Sequence, residues 1–251
     1  MPFQNSPVMM LDKVCKRFGG VIAADEVSFA LTSGRVRGLI GPNGSGKTTI
    51  LNVISGICET DPGNIIFEGD SITKEPSHMR ARRGIARTFQ HPRLLRRCDI
   101  KTNLFLGIDL GNMKKKSSVI SKKINQSLEQ LLEIAGLKVN MKDSITSLSY
   151  GQQKLFEIVR AILTKPKVVL LDEPAAGLNT KEMERVKALI DIAIKNNAAV
   201  LLVEHSMDLV MNLCDIITVL NFGRVIAEGI PAEIQNNEAV IEAYLGKGRH
   251  A

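Results

Sequence analysis

Nine consecutive residues constrain this chain more than any other stretch: Gly41-Pro42-Asn43-Gly44-Ser45-Gly46-Lys47-Thr48-Thr49. They satisfy the pattern GxxxxGK[ST] through Gly41, Gly46, Lys47 and Thr48. An apolar run, Val36 to Ile40, precedes them, and a helix-compatible run, Thr48 to Ser55, follows. Strand, glycine loop and helix in that order is the setting the pattern requires. Glycines let successive backbone N–H groups turn inward around an anion. The helix starting there adds the positive end of its dipole. Lys47 supplies a point charge for the outer phosphates of a nucleotide, and the Thr48 hydroxyl is a ligand for Mg²⁺.

The chain has 251 residues, 44% of them hydrophobic, enough to fill one large domain or two lobes. No apolar run reaches the ~18–20 residues of a membrane helix. Met1 to Met10 lack the basic start and apolar stretch of a secretory signal, so the cytosol is the expected compartment. Cys15, Cys58, Cys98 and Cys214 are scattered and form no CxxC pair, which argues against a zinc or redox site and for reduced, packed thiols. Lys plus Arg (33) exceeds Asp plus Glu (26), a net charge of +7. Such a balance raises nucleic acid and anionic membranes as partners. The excess is concentrated in Arg80, Arg82, Arg83, Arg87, Arg93, Arg96 and Arg97, and in Lys114 to Lys116; each cluster alone reads as a solvated face. Aromatic content of 4% with no Trp leaves little for the stacking platforms of single-strand binders.

Along the chain, Val8 to Val14 and Glu26 to Leu31 read as strands, with Lys16 to Gly20 as a turn between them. Ile65 to Phe67 adds a short strand after the turn Asp61-Pro62-Gly63-Asn64. These early strands suggest a small antiparallel sheet beside the nucleotide site. Glu75 to Arg83 reads as a polar helix and Ile85 to Phe89 as a buried strand ending at Gln90. From Pro92 to about Ser147 the pattern turns helical: Asp99 to Gly107, a polar loop from Leu110 to Ser118, and Val119 to Ala135 ending at Gly136. Ser149 then caps a helix carrying Leu155, Phe156, Val159, Ile162 and Leu163. Val168 to Leu171 and Ala198 to Val203 are apolar runs suited to central parallel strands. Thr180 to Lys195, capped by Thr180, and Met207 to Leu213 read as helices, Asp215 to Leu220 and Arg224 to Ala227 as strands, and Pro231 to Leu245 as two short helices. Strands alternating with helices around a phosphate loop predict a largely parallel α/β sheet, with ligands beyond the carboxyl ends of its strands.

Gly41, Gln90, Asp172 and His205 all fall at that end. Asp172 can hold Mg²⁺ opposite Thr48, and Glu173 can orient or deprotonate an attacking water. Two charges ending a buried strand need a cation or substrate. Gln90 can reach the metal or the water, and His205 the γ-phosphate. The stretch Leu148-Ser149-Tyr150-Gly151-Gln152-Gln153 is a polar helix start far from Lys47 in sequence. Such a start is an anion site. Serving the nucleotide of a second copy, it would create two composite sites across a twofold axis.

Taken together, GPNGSGKTT, Gln90, LSYGQQ, VVLLDEP and His205 resemble the ATPase subunit of ATP-binding cassette (ABC) transporters over essentially the whole chain. The resemblance implies a P-loop NTPase (RecA-like) core with an antiparallel β subdomain and an inserted α-helical subdomain. Residues 1–90 and 160–251 would form the core, and 91–159 the helical part. It implies ATP and Mg²⁺, with Thr48, Gln90 and Asp172 on the metal and Glu173, His205, Gln90 and Lys47 in hydrolysis. Phe18 takes the adenine-stacking position; Ser149, Gly151 and Gln152 take the nucleotide held by the partner. Gly177-Leu178-Asn179 matches a dimer-contact loop, and Gln90 a switch to the helical lobe. The implied partners are membrane permease subunits, a second ABC ATPase subunit and, indirectly, a periplasmic or extracellular solute-binding protein. The implied place is the cytoplasmic face of a prokaryotic membrane.

A narrower likeness rests on ARRGIARTFQ, DEPAAGLN, LLVEHSMDLVM, the ending RVIAEGIPAEIQNNEAVIEAYLG and the insertion from about Gly107 to Asn140. These are similar to the ATPase of high-affinity branched-chain amino acid importers. Tyr150 replaces the broad family's first signature glycine and Asn179 its usual aspartate, and both suit this subgroup. Arg96-Arg97-Cys98-Asp99 is less typical, so urea or amide import is the alternative solute. A nucleic-acid-associated ATPase usually carries two cassettes or long coiled coils, which this chain lacks, and no nucleic acid is expected. A small phosphotransferase would leave Glu173, His205 and the Ser149 helix without a task.

Overall fold

The computed structural model describes residues 7–106 and 118–245, with side chains over residues 125–244 of the second segment. The expected loop from Leu110 to Ser118 falls almost wholly outside them. Two sheets are built from these residues. A four-stranded antiparallel sheet has the order β2-β1-β4-β5, from β1 (Pro7–Phe18), β2 (Val21–Thr32), β4 (Asn64–Phe67) and β5 (Asp70–Ser71). The second sheet has six strands in the order β10-β9-β3-β8-β7-β6. Its strands are β3 (Val36–Ile40), β6 (Ile85–Arg87), β7 (Val168–Asp172), β8 (Ala199–Val203), β9 (Ile216–Asn221) and β10 (Arg224–Gly229). All neighbours in it are parallel except the β9–β10 hairpin.

Every residue of β3, β7 and β8 is buried, as a parallel strand covered on both faces requires. Alternation along these strands divides the interior in two. Leu39, Val168, Leu170, Ala199, Leu201 and Val203 face one core, shared with the antiparallel sheet and with Ile50, Leu51 and Ile54 of α1 (Lys47–Ile54). Val36, Val169, Leu171, Val200 and Leu202 face the other. There they meet α5 (Tyr150–Leu163) and α6 (Thr180–Lys195), with α4 (Ser118–Ile134) packed outside through Leu128, Leu131 and Leu132. α2 (Ser77–Arg83) packs beside β6, and α3 (Ile100–Phe105) packs against α5 through the core that holds Ile100 and Leu104. α7 (Met207–Leu213), α8 (Pro231–Gln235) and α9 (Glu238–Leu245) complete the C-terminal third. No described helix is long and apolar enough to cross a membrane.

Three local expectations are corrected. The turn expected over Lys16 to Gly20 shrinks to Gly19-Gly20, because Lys16, Arg17 and Phe18 continue the β1–β2 ladder opposite Ala24, Ile22 and Val21. Helix α6 is capped by Asn179, not Thr180. The Asn179 side chain accepts from the Glu182 N–H at 3.0 Å, and Glu182 returns the bond to the Asn179 N–H. Asn179 is extended while Thr180 is already helical, and Asn outranks Thr as a cap. The arginine cluster is not one solvated face. Arg80 is 2% exposed and donates to the carbonyls of Val53 and Ile54, closing the last turn of α1. Arg87 is turned inward as well, whereas Arg82, Arg96 and Arg97 stay exposed.

Candidate nucleotide site

Strand β3 delivers the chain into the phosphate loop, and α1 leaves it. Gly41 and Gly46 have φ of +150° and +106°, which residues with side chains rarely adopt. A Cβ on Gly41 would strike the Leu220 carbonyl, and one on Gly46 the Ala23 carbonyl. The loop is closed by Ser45 N–H donating to Pro42 O (3.2 Å) and pinned by Gly223 N–H donating to Ser45 O (3.0 Å). Lys47 folds over it, its ammonium donating to the carbonyls of Gly41 (2.8 Å) and Pro42 (3.0 Å). Burial holds that ammonium below its ordinary pKa, against the opposing pull of Glu173 and then Asp172. The Ser45 hydroxyl is buried with no hydrogen-bond partner among the described residues. A glycine cradle with an unpaired hydroxyl and a cation fits a phosphate.

A cavity of 230 Å³ opens on the loop, lined by Asn43 to Thr49, Val21 to Ala23, Glu173 and His205. Glu173 is its organising acid. Gln90 Nε2 donates to Glu173 Oε2 at 2.9 Å, and His205 Nε2 lies 2.9 Å from Glu173 Oε1. Three strand ends, at β6, β7 and β8, thereby converge on one carboxylate. Asp172, 5% exposed, ends β7 beside it. Burial pushes the Asp172 carboxyl up, Arg87 pulls it down through charge and a hydrogen bond, and Glu173 adds to the upward push. Among the described residues no three of His, Cys, Asp and Glu cluster to hold a metal. A divalent cation here would rest on Asp172, the Thr48 hydroxyl, the Gln90 amide oxygen, water and phosphate oxygens. That is how Mg²⁺ is commonly held in nucleotide sites.

The other expected residues stand elsewhere. Phe18 ends β1, 51% exposed, paired in the ladder with the cavity-lining Val21 and with the Lys16 ammonium 5.6 Å from its ring centroid. Ser149, Gly151 and Gln152 do not line the cavity. Ser149 is the N-cap of α5: its hydroxyl accepts from Gln152 N–H at 3.2 Å, and Gln152 Oε1 accepts from Ser149 N–H at 2.9 Å. A capping box therefore fixes the helix start and uses the side chains of Ser149 and Gln152 on their own backbone.

Four charged residues near the site carry no assignment from the sequence. Arg87 meets Asp172 at 3.2 Å and also donates to Asn52 and Ser55. Glu157 accepts from Phe89 N–H (3.2 Å) and Arg93 N–H (3.1 Å), bracketing the Gln90 loop. Glu204 accepts from Ala175 N–H and His205 N–H. Lys154 donates to the Glu173 carbonyl. The available signal was a charge at an apolar helical or strand position, at Lys154, Glu157 and Arg87.

Fold and site define the nucleotide-binding cassette of an ABC transporter, and the chain belongs to that family. The ABC transporter family model matches residues 24–176. A second model, branched-chain amino acid ATP-binding cassette transporter, matches residues 224–250. The chain is similar to the high-affinity branched-chain amino acid transport ATP-binding protein BraF of Pseudomonas aeruginosa, 38% identical over 97% of this chain and 99% of that protein. It is likewise similar to LivG of Escherichia coli K12, of the same description, 36% identical over 97% of this chain and 99% of that protein. A nucleotide-free ATP-binding cassette from an ABC transporter superposes with a TM-score of 0.82, at 32% identity, over 96% of this chain and 100% of that one. The protein is thus a nucleotide-binding, ATP-hydrolysing transporter subunit.

Proposed function

We propose that this chain is the ATPase of an importer for branched-chain or other hydrophobic amino acids, peripheral on the cytoplasmic face of a prokaryotic membrane. The C-terminal match over residues 224–250 and the names of the similar proteins support the solute class. The observation that carries the hydrolytic reading is Glu173 held at 2.9 Å by both Gln90 and His205 at the mouth of the phosphate loop.

In this reading the backbone amides of Gly44, Ser45, Gly46, Thr48 and Thr49 and the Lys47 ammonium hold the β- and γ-phosphates, with Gly41, Pro42 and Asn43 shaping the loop. Phe18 stacks on the adenine. Glu173 accepts the proton of the attacking water, while Gln90 and His205 keep its carboxylate aligned and His205 reaches the γ-phosphate. Thr48, Gln90 and Asp172 would hold Mg²⁺, whose charge would offset that of the phosphates. Positioning and charge neutralisation supply most of the catalysis in phosphoryl transfer. Residues 1–90 and 160–251 act as the core and 91–159 as the helical part that meets the permease. Ser149, Gly151 and Gln152, standing outside the chain's own cavity, serve the nucleotide of a second ATPase subunit. A solute-binding protein acts on the permease's far side, and no nucleic acid is involved.

The test is uptake of labelled leucine by membranes carrying the permease, with the parent chain and with Glu173→Gln. The parent is expected to release free phosphate from ATP and drive uptake. The variant should bind ATP but lose turnover by about 10²–10⁴-fold. Leucine uptake that proceeds unchanged with the variant, or without this chain, contradicts the proposal.

A further inference from the structure

Glu173 is held by more than its side-chain partners. Its backbone has φ +48°, a left-handed conformation that residues with side chains adopt only when their surroundings fix it. Its N–H donates to Val203 O at 2.9 Å. Its carbonyl accepts from Ala176 N–H at 3.2 Å and from the Lys154 ammonium at 2.7 Å. Lys154 is 3% exposed, and a lysine that deep requires partners. Its ammonium lies 5.7 Å from the centroid of the Tyr150 ring, within reach of a cation–π contact. Glu204, Glu173, Glu157 and Asp172 surround it electrostatically. None of the phosphate chemistry uses this charge.

We propose that Lys154 is a positioning residue. It fixes the Glu173 peptide in its left-handed turn and ties the water-activating carboxylate to helix α5, whose first turn carries Ser149 and Gly151. The inference rests on the hydrolytic role of Glu173 proposed above. It adds a mechanical link: one rigid helix presents the signature residues at its start and grips the chain's own hydrolytic residue one turn later. Tyr150, where the broad family has glycine, roofs that grip, and its Cε1 lies 3.6 Å from where a Cβ on Gly177 would be.

The test compares Lys154→Met, Lys154→Arg and Glu173→Gln in the purified chain and in the complex with its permease. Lys154→Met should lower kcat by about ten- to a hundredfold, the scale of a small misplacement of a reacting group, with KM for ATP and nucleotide affinity nearly unchanged. Lys154→Arg keeps the charge and the donor and should restore most of kcat. If Lys154→Met does not fold, Lys154→Gln is read against the same expectation. A kcat at the parent level in Lys154→Met, while Glu173→Gln is inactive, overturns this inference alone. So does an equal loss of kcat and nucleotide affinity that Lys154→Arg fails to repair. Normal turnover in Glu173→Gln removes the hydrolytic role on which both depend.

Discussion

Arg87 and Asp172 meet at 3.2 Å with their side chains 6% and 7% exposed. Arg87 is also the clamp between β6 and α1, through Asn52 Oδ1 at 2.8 Å and Ser55 Oγ at 2.9 Å, with Phe89 against its face. Burial disfavours the charged form of each partner, and each opposes that for the other. Removing one member leaves the other as an uncompensated buried charge, a loss of about 3–5 kcal/mol. Arg87→Met should therefore lower unfolding stability by that order in a urea titration. A change below about 1 kcal/mol would show that Asp172 does not depend on it. Such couplings mark the limit of a sequence. Gln90, Glu173 and His205 were legible as one site because each follows an apolar strand, and parallel strands bring their ends to one edge. Arg87 and Arg80 were not, because adjacent arginines share one composition whether they face water or the carbonyls of α1.

At the scale of elements, strand periodicity carried most of the fold. The apolar runs at β7 and β8 are local properties, and the structure keeps their bounds within one residue, whereas β2 starts at Val21, five residues before the expected Glu26. The hairpin end was less legible, because what holds Lys16 and Arg17 in the ladder lies 45 and 44 residues away. Asp61 accepts from Lys16 Nζ at 2.9 Å and from Arg17 N–H at 2.6 Å, which pins the strand end carrying Phe18. The Lys16 hydrogen bond first, and the Arg17 N–H next, hold the Asp61 carboxyl below its ordinary value of 3.8. A depressed folded pKa means that the unfolded chain takes up protons first. The stabilisation is then complete above 3.8 and is lost as pH falls through the lower folded value. Asp61→Asn should melt below the parent at pH 7, with the gap closing in acid below 3.8. A gap independent of pH would contradict the assignment.

At the scale of the whole molecule, the phosphate loop and the start of helix α5 are separate features of one chain. The phosphate loop opens into the cavity with Glu173 and His205, while the capped start of α5 does not line it. The sequence suggested this only through the distance between the motifs; how subunits meet is not written in one chain's periodicity. Ser149→Arg should leave nucleotide affinity of the single chain within about twofold while preventing association, at the modest stability cost of a lost cap, about 0.5–2 kcal/mol. Loss of nucleotide binding by the single chain would place the segment in its own site instead. The most direct measurement is sedimentation of Glu173→Gln with and without saturating Mg-ATP. Single chains are expected without nucleotide and a dimer with it, undone by adding Ser149→Arg; a species that stays monomeric with Mg-ATP bound would overturn the composite site.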